Sequence, residues 1–339
     1  MIMQKKEFLK VMQLLKPGLA KKDIIEEFVH YLFTGDDVIT FNDEICISHP
    51  FKTDFKCSCR AEELFKTVNG IKEETLEVGI AEAGNCIEIK SAGTRARLAV
   101  SSEDKASQLI SVLNLEEVCK NMTPLPKDFV RALYLCMFSA SKDMTKGIYT
   151  CVKVDSDSVY SSDGVRISKY NLEEHTDLST LIPARNIEHL VRFPVIEFRL
   201  TDSWCHFRTE EGVVFSTRVM EGEYPSLDQY FTIEGKRVRL PSEIKSLVSS
   251  VSFMSDDKVI KDKTVTMVIS SGQITCKAEK KDIGMVERDF DFEYAQEGFE
   301  IQINPIFLNE VLEKATIMRV NKNAAMFTSG TFNHIISLQ

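Results

Sequence analysis

The residues best suited to metal or nucleophilic chemistry in this 339-residue chain are nine cysteines and six histidines, and their spacing supports neither. The cysteines stand singly apart from Cys57 and Cys59, the histidines are scattered, and no CxxC or HExxH occurs. Cys57 and Cys59 fall on one face of a predicted strand, where a reduced thiol behaves as a small apolar side chain. No metal and no cofactor is expected. A phosphate-binding GxxxxGK-S/T, a dinucleotide GxGxxG and a GxSxG elbow are also missing. Carboxylates such as Asp163 and Glu188 have no partner at catalytic spacing, so the chain reads as a protein with no catalytic site of its own. The pattern that does recur is cationic. Lys6, Lys10, Arg60, Lys66, Lys127, Arg131, Arg185, Arg192 and Lys245 sit on amphipathic helical stretches, opposite the apolar stripe. A surface of that kind attracts backbone phosphates, and phosphates carry no base information directly.

The net charge of −9 argues against a protein that holds nucleic acid by bulk electrostatics, but it leaves room for a basic surface within an acidic exterior. A content of 43% hydrophobic and 27% charged residues describes a soluble globular chain. The N-terminus interleaves Lys and Glu with apolar residues and lacks the apolar block of a secretory signal. No run approaches the ~18 apolar residues of a membrane span. A cytoplasmic protein without a membrane partner is expected.

The elements that must position these cations come from a repeat. The stretch STLIPARNIEHLVRF (179–193) has counterparts in CSCRAEELFKTV (57–68) and IQINPIFLNEVL (301–312). Cys59, Ile182 and Ile303 close a strand, and Ala61, Ala184 and Pro305 open a helix whose first turn tolerates proline. Leu64 with Val68, Ile187 with Val191, and Leu308 with Leu312 give the i, i+4 apolar face. The copies lie about 122 residues apart, a period of whole modules rather than of a solenoid. Each copy follows an amphipathic helix (Phe8, Met12, Leu15; Phe129, Leu133, Met137; Ile244, Val248, Val251) and a hairpin, and precedes a second hairpin. Pro126 and Pro241 are expected to start the second and third of these helices, and Pro17-Gly18 to end the first. The fold class is α+β: three repeated modules, 1–122, 123–231 and 232–339, each with two helices packed on antiparallel sheets. The third module is the least basic, since Asn309, Glu310 and Glu313 occupy its second helix.

SSDGVRI (161–167), LIPARNIEHLVRF, FSTRVMEGEYPSL (215–227) and FEIQINPIFLNEVLEKA (299–315) resemble the bacterial DNA sliding clamp, the DNA polymerase III beta subunit family, over the whole chain in register. Several short loops are compatible with a phage or mobile-element version as well as a chromosomal one. The resemblance implies the DNA-clamp fold and a head-to-tail homodimer closed into a ring around duplex DNA. Such a ring is a processivity factor: it tethers the replicative polymerase, is loaded by a clamp loader and hydrolyses nothing itself. It retains DNA by topology, so an acidic protein with a weakly basic lining is compatible with it. The resemblance adds Lys21, Lys22, Lys142 and Lys146 as loop contacts to DNA, beside the helix cations.

The resemblance also implies a pocket for a short, partly apolar peptide of the polymerase and loader. By position it takes in Thr145, Ser162, Gly164, Val165, Arg166, Ile167, Pro225 and Tyr230, completed by Ile335 and Leu338. The subunit interface would pair the last strand of the first module, around Leu98 and Val100, with the third module near Phe253 and Met254. That pairing would remove the exposed edges of a three-module chain. The alternative is a non-catalytic protein-binding scaffold of the same fold with altered or lost DNA encirclement.

Overall fold

The computed structural model describes residues 1–22, 24–101, 103–255, 259–260 and 263–339. One order of elements recurs three times. A short strand leads into a helix, then a three-stranded meander, a fourth strand, a second helix and a second meander. The first copy comprises β1 (Ile2–Gln4), α1 (Lys5–Leu15), β2 (His30–Phe33), β3 (Asp37–Phe41), β4 (Ile45–Pro50), β5 (Cys57–Arg60), α2 (Ala61–Gly70), β6 (Thr75–Ile80), β7 (Cys86–Ser91) and β8 (Thr94–Ser101). Two helices that the periodicity reading does not single out follow, α3 (Glu103–Ser111) and α4 (Leu115–Val118). The second copy comprises β9 (Thr123–Pro124), α5 (Phe129–Cys136), β10 (Cys151–Asp155), β11 (Ser158–Ser162), β12 (Arg166–Asn171), β13 (Thr180–Pro183), α6 (Ala184–Leu190), β14 (Val195–Leu200), β15 (Trp204–Thr209) and β16 (Val214–Arg218). The third comprises β17 (Lys236–Arg239), α7 (Ile244–Val251), β18 (Val265–Ile269), β19 (Gln273–Lys280), β20 (Gly284–Asp291), β21 (Phe299–Ile303), α8 (Pro305–Leu312), β22 (Ile317–Val320), β23 (Ala324–Ser329) and β24 (Phe332–Ser337).

The pairing repeats with the order. The short strand joins the second meander (β1·β6, β9·β14, β17·β22), and the fourth strand joins the first meander (β5·β2, β13·β10, β21·β18), all antiparallel. Two further pairs link copies, β4·β16 and β12·β24. The chain divides into two compact units, Met1–Lys127 with Arg185–Met220 and Asp128–Ala184 with Glu221–Gln339. The first holds a twelve-stranded sheet ending in β1 and β9; the second holds an eight-stranded and a four-stranded sheet.

Helix positions follow the apolar spacing. Phe8, Val11, Met12 and Leu15 of α1 are buried, as are Ile244, Leu247, Val248 and Val251 of α7. The repeat motif opens helices at Ala61, Ala184 and Pro305, as the spacing predicts; β5 and β13 run one residue past Cys59 and Ile182. In α8, Asn304 accepts hydrogen bonds at Oδ1 from the Ile306 and Phe307 amides at 3.0 and 3.1 Å, satisfying two donors that the first helical turn leaves open. Pro126 and Pro241 differ from expectation. Each sits in an entering turn, and the helix begins three residues later, at Phe129 and Ile244. After α5 begins, the Ala132 amide donates to the Asp128 carbonyl at 2.8 Å, so Asp128 rather than proline sets the helix start. Among the described residues no helix is long and apolar enough to cross a membrane.

Candidate functional site

The SSDGVRI stretch forms a tight turn between β11 and β12. Asp163 Oδ1 accepts from the Val165 and Arg166 amides at 3.0 and 3.1 Å, and Ser162 Oγ accepts from the Gly164 amide at 3.0 Å. Gly164 takes φ 92°, a left-handed conformation that costs a side-chain-bearing residue most. The Ser162 amide donates to Tyr224 Oη at 2.8 Å, and Tyr149 and Tyr160 meet the Tyr224 ring edge-on at 5.8 and 5.5 Å. Burial pushes the Tyr224 phenol well above its ordinary pKa, so it stays a neutral hydrogen-bonding group.

Strand alternation then sorts the side chains. Ile167 pairs with Ile335 and Ile335 with Met326, so these three share one face of the eight-stranded sheet. Ile233, Phe231 and Ala324 pack with them into a small apolar cluster. Of the other expected pocket residues, Tyr230, next in sequence to Phe231, is 51% exposed, and Gly164 and Pro225 are exposed; Lys169 forms an ion pair with Asp228 while lying 6.0 Å from the Phe231 ring. A partly open apolar surface with an exposed aromatic ring and a charged rim is suited to anchoring an apolar side chain of a peptide.

Three expected pocket residues sit differently. Thr145 is exposed, but its amide and hydroxyl both donate to Asp143 Oδ1, at 3.0 and 2.7 Å. Leu338 lies three residues after Ile335, its amide bonded to the Asn323 carbonyl, in a groove with Ile301, Gln302 and Asn321 rather than with the Ile335 cluster. Arg166 precedes Ile167 and so points to the opposite, helix-covered face, where it is only 4% exposed.

There Arg166 meets five groups. Its Nε donates to Asp163 Oδ2 at 3.0 Å, Nη2 to the Phe138 carbonyl at 2.6 Å, and Nη1 to Glu310 Oε2 of α8. The guanidinium lies 4.2 Å from the Phe307 ring centre and 5.5 Å from that of Phe138. Lys314 Nζ caps the other side, 4.5 Å from the Phe138 ring and 3.2 Å from the Glu310 carbonyl; burial holds its ammonium below the ordinary lysine range. Under Phe138, His334 stacks at 4.9 Å, and its Nδ1 bonds Ser168 Oγ at 2.8 Å. Burial, reinforced by Arg166 and Lys314, keeps that imidazole far below its ordinary pKa and neutral. The sequence assigns none of Phe138, Phe307, Glu310, Lys314 and His334 to this site, and Glu310 enters there only as a charge on the second helix of the third module; nothing local marks residues that meet only through tertiary packing.

The expected DNA-contacting cations Lys6, Lys10, Lys21, Lys22, Lys127, Arg131, Lys142, Lys146, Arg185, Arg192 and Lys245 are all exposed. Lys21 and Arg192 both come near His189, which burial first and Arg192 next hold below its ordinary pKa. Arg185 reaches Glu44 at 2.6 Å, and Lys245 pairs with Glu313, so the third copy neutralises its own helix cation. The buried thiols of Cys59 and Cys276 are each pushed up to about 12, which leaves them un-ionised.

Among the described residues, two strands are finished unlike their counterparts in the other copies. β16 and β24, paired to β4 and β12, are largely buried, whereas their counterpart β8 has no buried residue and meets β5 only at Val100 and Ser101. β20, the counterpart of β4 and β12, closes the four-stranded sheet with no buried residue either. Leu98 and Val100 lie half-buried on β8; Met254 comes within reach of Gly284 at the start of β20, and Phe253 is 69% exposed. The flanking charges are opposite. Arg95 and Arg97 of β8 join Lys90 around Glu88, pulling its carboxyl down to about 2, while β20 exposes Glu287, Asp289 and Asp291.

No protein-family profile matches the sequence. The chain is 21% identical over 263 residues to the Beta sliding clamp of Chlamydia trachomatis serovar D, and 21% over 263 residues to that of Chlamydia muridarum. The alignments cover 75% of this chain, but only 62% of the first relative and 70% of the second, so this chain spans less than two thirds of the Chlamydia trachomatis protein. Among solved structures, the beta subunit from DNA polymerase of Streptococcus pyogenes superposes with a TM-score of 0.85 at 17% identity, over 100% of this chain and 99% of that one. A Pseudomonas aeruginosa DnaN sliding clamp bound to griselimycin gives 0.82 at 12% identity, over 100% and 98%. The chain therefore has the fold of the DNA polymerase III beta subunit, and in sequence it resembles the bacterial beta sliding clamps.

Proposed function

We propose that this protein is a DNA sliding clamp: three modules, 1–122, 123–231 and 232–339, doubled head to tail into a ring that encircles duplex DNA and tethers a polymerase. The observation that carries the reading is the recurrent strand joint. β4 pairs β16 and β12 pairs β24, which leaves β20 and β8 as the one equivalent pair that is not joined between copies among the described residues; β20 pairs only β19, and β8 pairs β7 and, at Val100 and Ser101, β5. A second copy supplies each missing edge, and two such joints close a ring. The acidic β20 and the basic β8 favour that pairing over β8·β8 or β20·β20 contacts.

In this reading the exposed helix and loop cations line the hole and make few, sequence-blind phosphate contacts, so the ring slides. The Ile167, Phe231, Tyr230 and Ile335 surface receives the peptide by which polymerase and loader dock. The protein has no reaction of its own to catalyse. The test of assembly is the mass in dilute solution together with the Ala99→Asp variant, which places an acid on β8 opposite the acidic edge. A dimer that this change converts to monomer supports the joint. A monomer at all concentrations, or a dimer insensitive to the change, overturns it.

A further inference from the structure

We infer that Arg166 is a positioning residue which staples the 162–167 turn to α8, so that α8 sets the geometry of the turn bordering the proposed peptide surface. The first copy supplies the contrast. There the equivalent turn is built alike: Asn42 Oδ1 accepts from the Glu44 and Ile45 amides at 3.1 and 2.9 Å, and Asp43 takes the left-handed place at φ 70°. The residue at the Arg166 position is Ile45, a buried apolar side chain. An isoleucine fills that space without further requirement. A buried guanidinium needs partners for its charge and its donors, and leaving one unpaired is costly.

Arg166 takes those partners from distant parts of the chain. Asp163 comes from its own turn, the Phe138 carbonyl from the end of α5, and Glu310 and Phe307 from α8, 144 residues away in the case of Glu310. Because Asp163 also holds the Val165 and Arg166 amides, one carboxylate both shapes the turn and anchors the guanidinium. A shift of α8 therefore pulls on the turn through a planar, five-donor group with little slack.

The test is amide hydrogen exchange on the full chain with Glu310→Gln, a change on a partly exposed side chain that leaves the core intact. The staple predicts exchange about tenfold faster at the Gly164, Val165 and Arg166 amides, as expected when a local opening loses about 1.4 kcal/mol of protection. Arg166→Lys, which keeps the charge but not the fork, should do the same, and the double variant should be no faster than either single one. Faster exchange confined to α8, or additive effects in the double variant, overturns the inference. Glu310→Gln alone decides the matter should Arg166→Lys fail to fold. The inference rests on the proposed peptide surface only for its consequence, read with labelled griselimycin as probe. Weaker binding to Glu310→Gln supports that consequence. Faster exchange with unchanged griselimycin binding keeps the staple and overturns instead the placement of the ligand surface.

Discussion

The two strand joints within the chain are built on one plan and finished differently. At β4·β16 the outward row runs Phe41, Cys46, Ser216, His206, with Trp204 beside it. At β12·β24 the equivalent row runs Ser162, Ile167, Ile335, Met326, with Ala324 in the place of Trp204. The first joint fills itself: Trp204 is only 6% exposed, its ring 5.9 Å from Phe41, and Ala106, Ile110, Leu113 and Leu115 of the α3–α4 segment pack over the row. The second has a serine and an alanine where the first has two large aromatics, and its cover is only the short turn Asp228–Phe231 with Ile233. A repeat can thus keep its backbone and open one of its joints by changing two side chains and one connector. That difference explains why a partner surface is proposed at one joint and not at the other.

Substitutions that exchange the two finishes test the comparison most sharply. Trp204→Ala should remove the plug of the first joint and destabilise the protein by about 3–5 kcal/mol in denaturant unfolding, because a large buried ring leaves a cavity. A loss below about 1 kcal/mol would mean that the α3–α4 segment, not the ring, fills that joint. On the proposed reading, the reverse change, Ala324→Trp, should occlude the second joint and weaken capture of griselimycin, the ligand of the Pseudomonas aeruginosa structure, by about 100-fold, equivalent to about 2.7 kcal/mol, with the proposed dimer unaffected. Unchanged affinity would place the ligand elsewhere.

The joints also respond to acid together. His206 stands in the first row, bonded through Nδ1 to Ser216 Oγ at 2.8 Å, and burial lowers its pKa to about 4; His334 lies beneath the second, and burial holds it well below its ordinary value too. Both are depressed relative to the unfolded chain, so the unfolded state binds more protons below pH ~6.5 and stability falls with pH from there. For His206 the loss runs from pH ~6.5 down to ~4 and amounts to roughly 3 kcal/mol. His206→Gln should flatten part of that slope, and an unchanged slope would remove this histidine from the explanation. The smallest effect is expected at the rim of the second joint. Asp228→Ala breaks a largely exposed ion pair with Lys169 and should cost within about 1 kcal/mol of stability, less at high salt.

The sequence carried the repeat well because its signals are local: the helix starts at Ala61, Ala184 and Pro305 need only a strand end, a permissive first turn and an i, i+4 apolar pair. The α3–α4 segment was legible in principle. Ala106, Ile110 and Leu113 are spaced for one helix face, but the segment has no counterpart in the other copies and so drops out of a reading led by repeats. The separation of Ile335 from Leu338 was also available from parity, since an odd interval along an extended strand changes face. The surroundings of Arg166 were not. Asp163 is local, but Glu310, Phe307, Phe138 and Lys314 are joined to it only by the packing of α5 and α8 on the sheet. Equally, no pattern within β8 or β20 says that, among the described residues, the two are not joined between copies; that follows from seeing β16 and β24 filled.

Retention on DNA of defined topology tests the central claim most directly. The protein is loaded onto a nicked circular duplex with a bacterial clamp loader and ATP, washed in high salt, and followed before and after the circle is cut once. The account predicts that it remains on the circle through the wash and leaves when the DNA becomes linear. Release by salt alone, with no effect of cutting, would contradict encirclement.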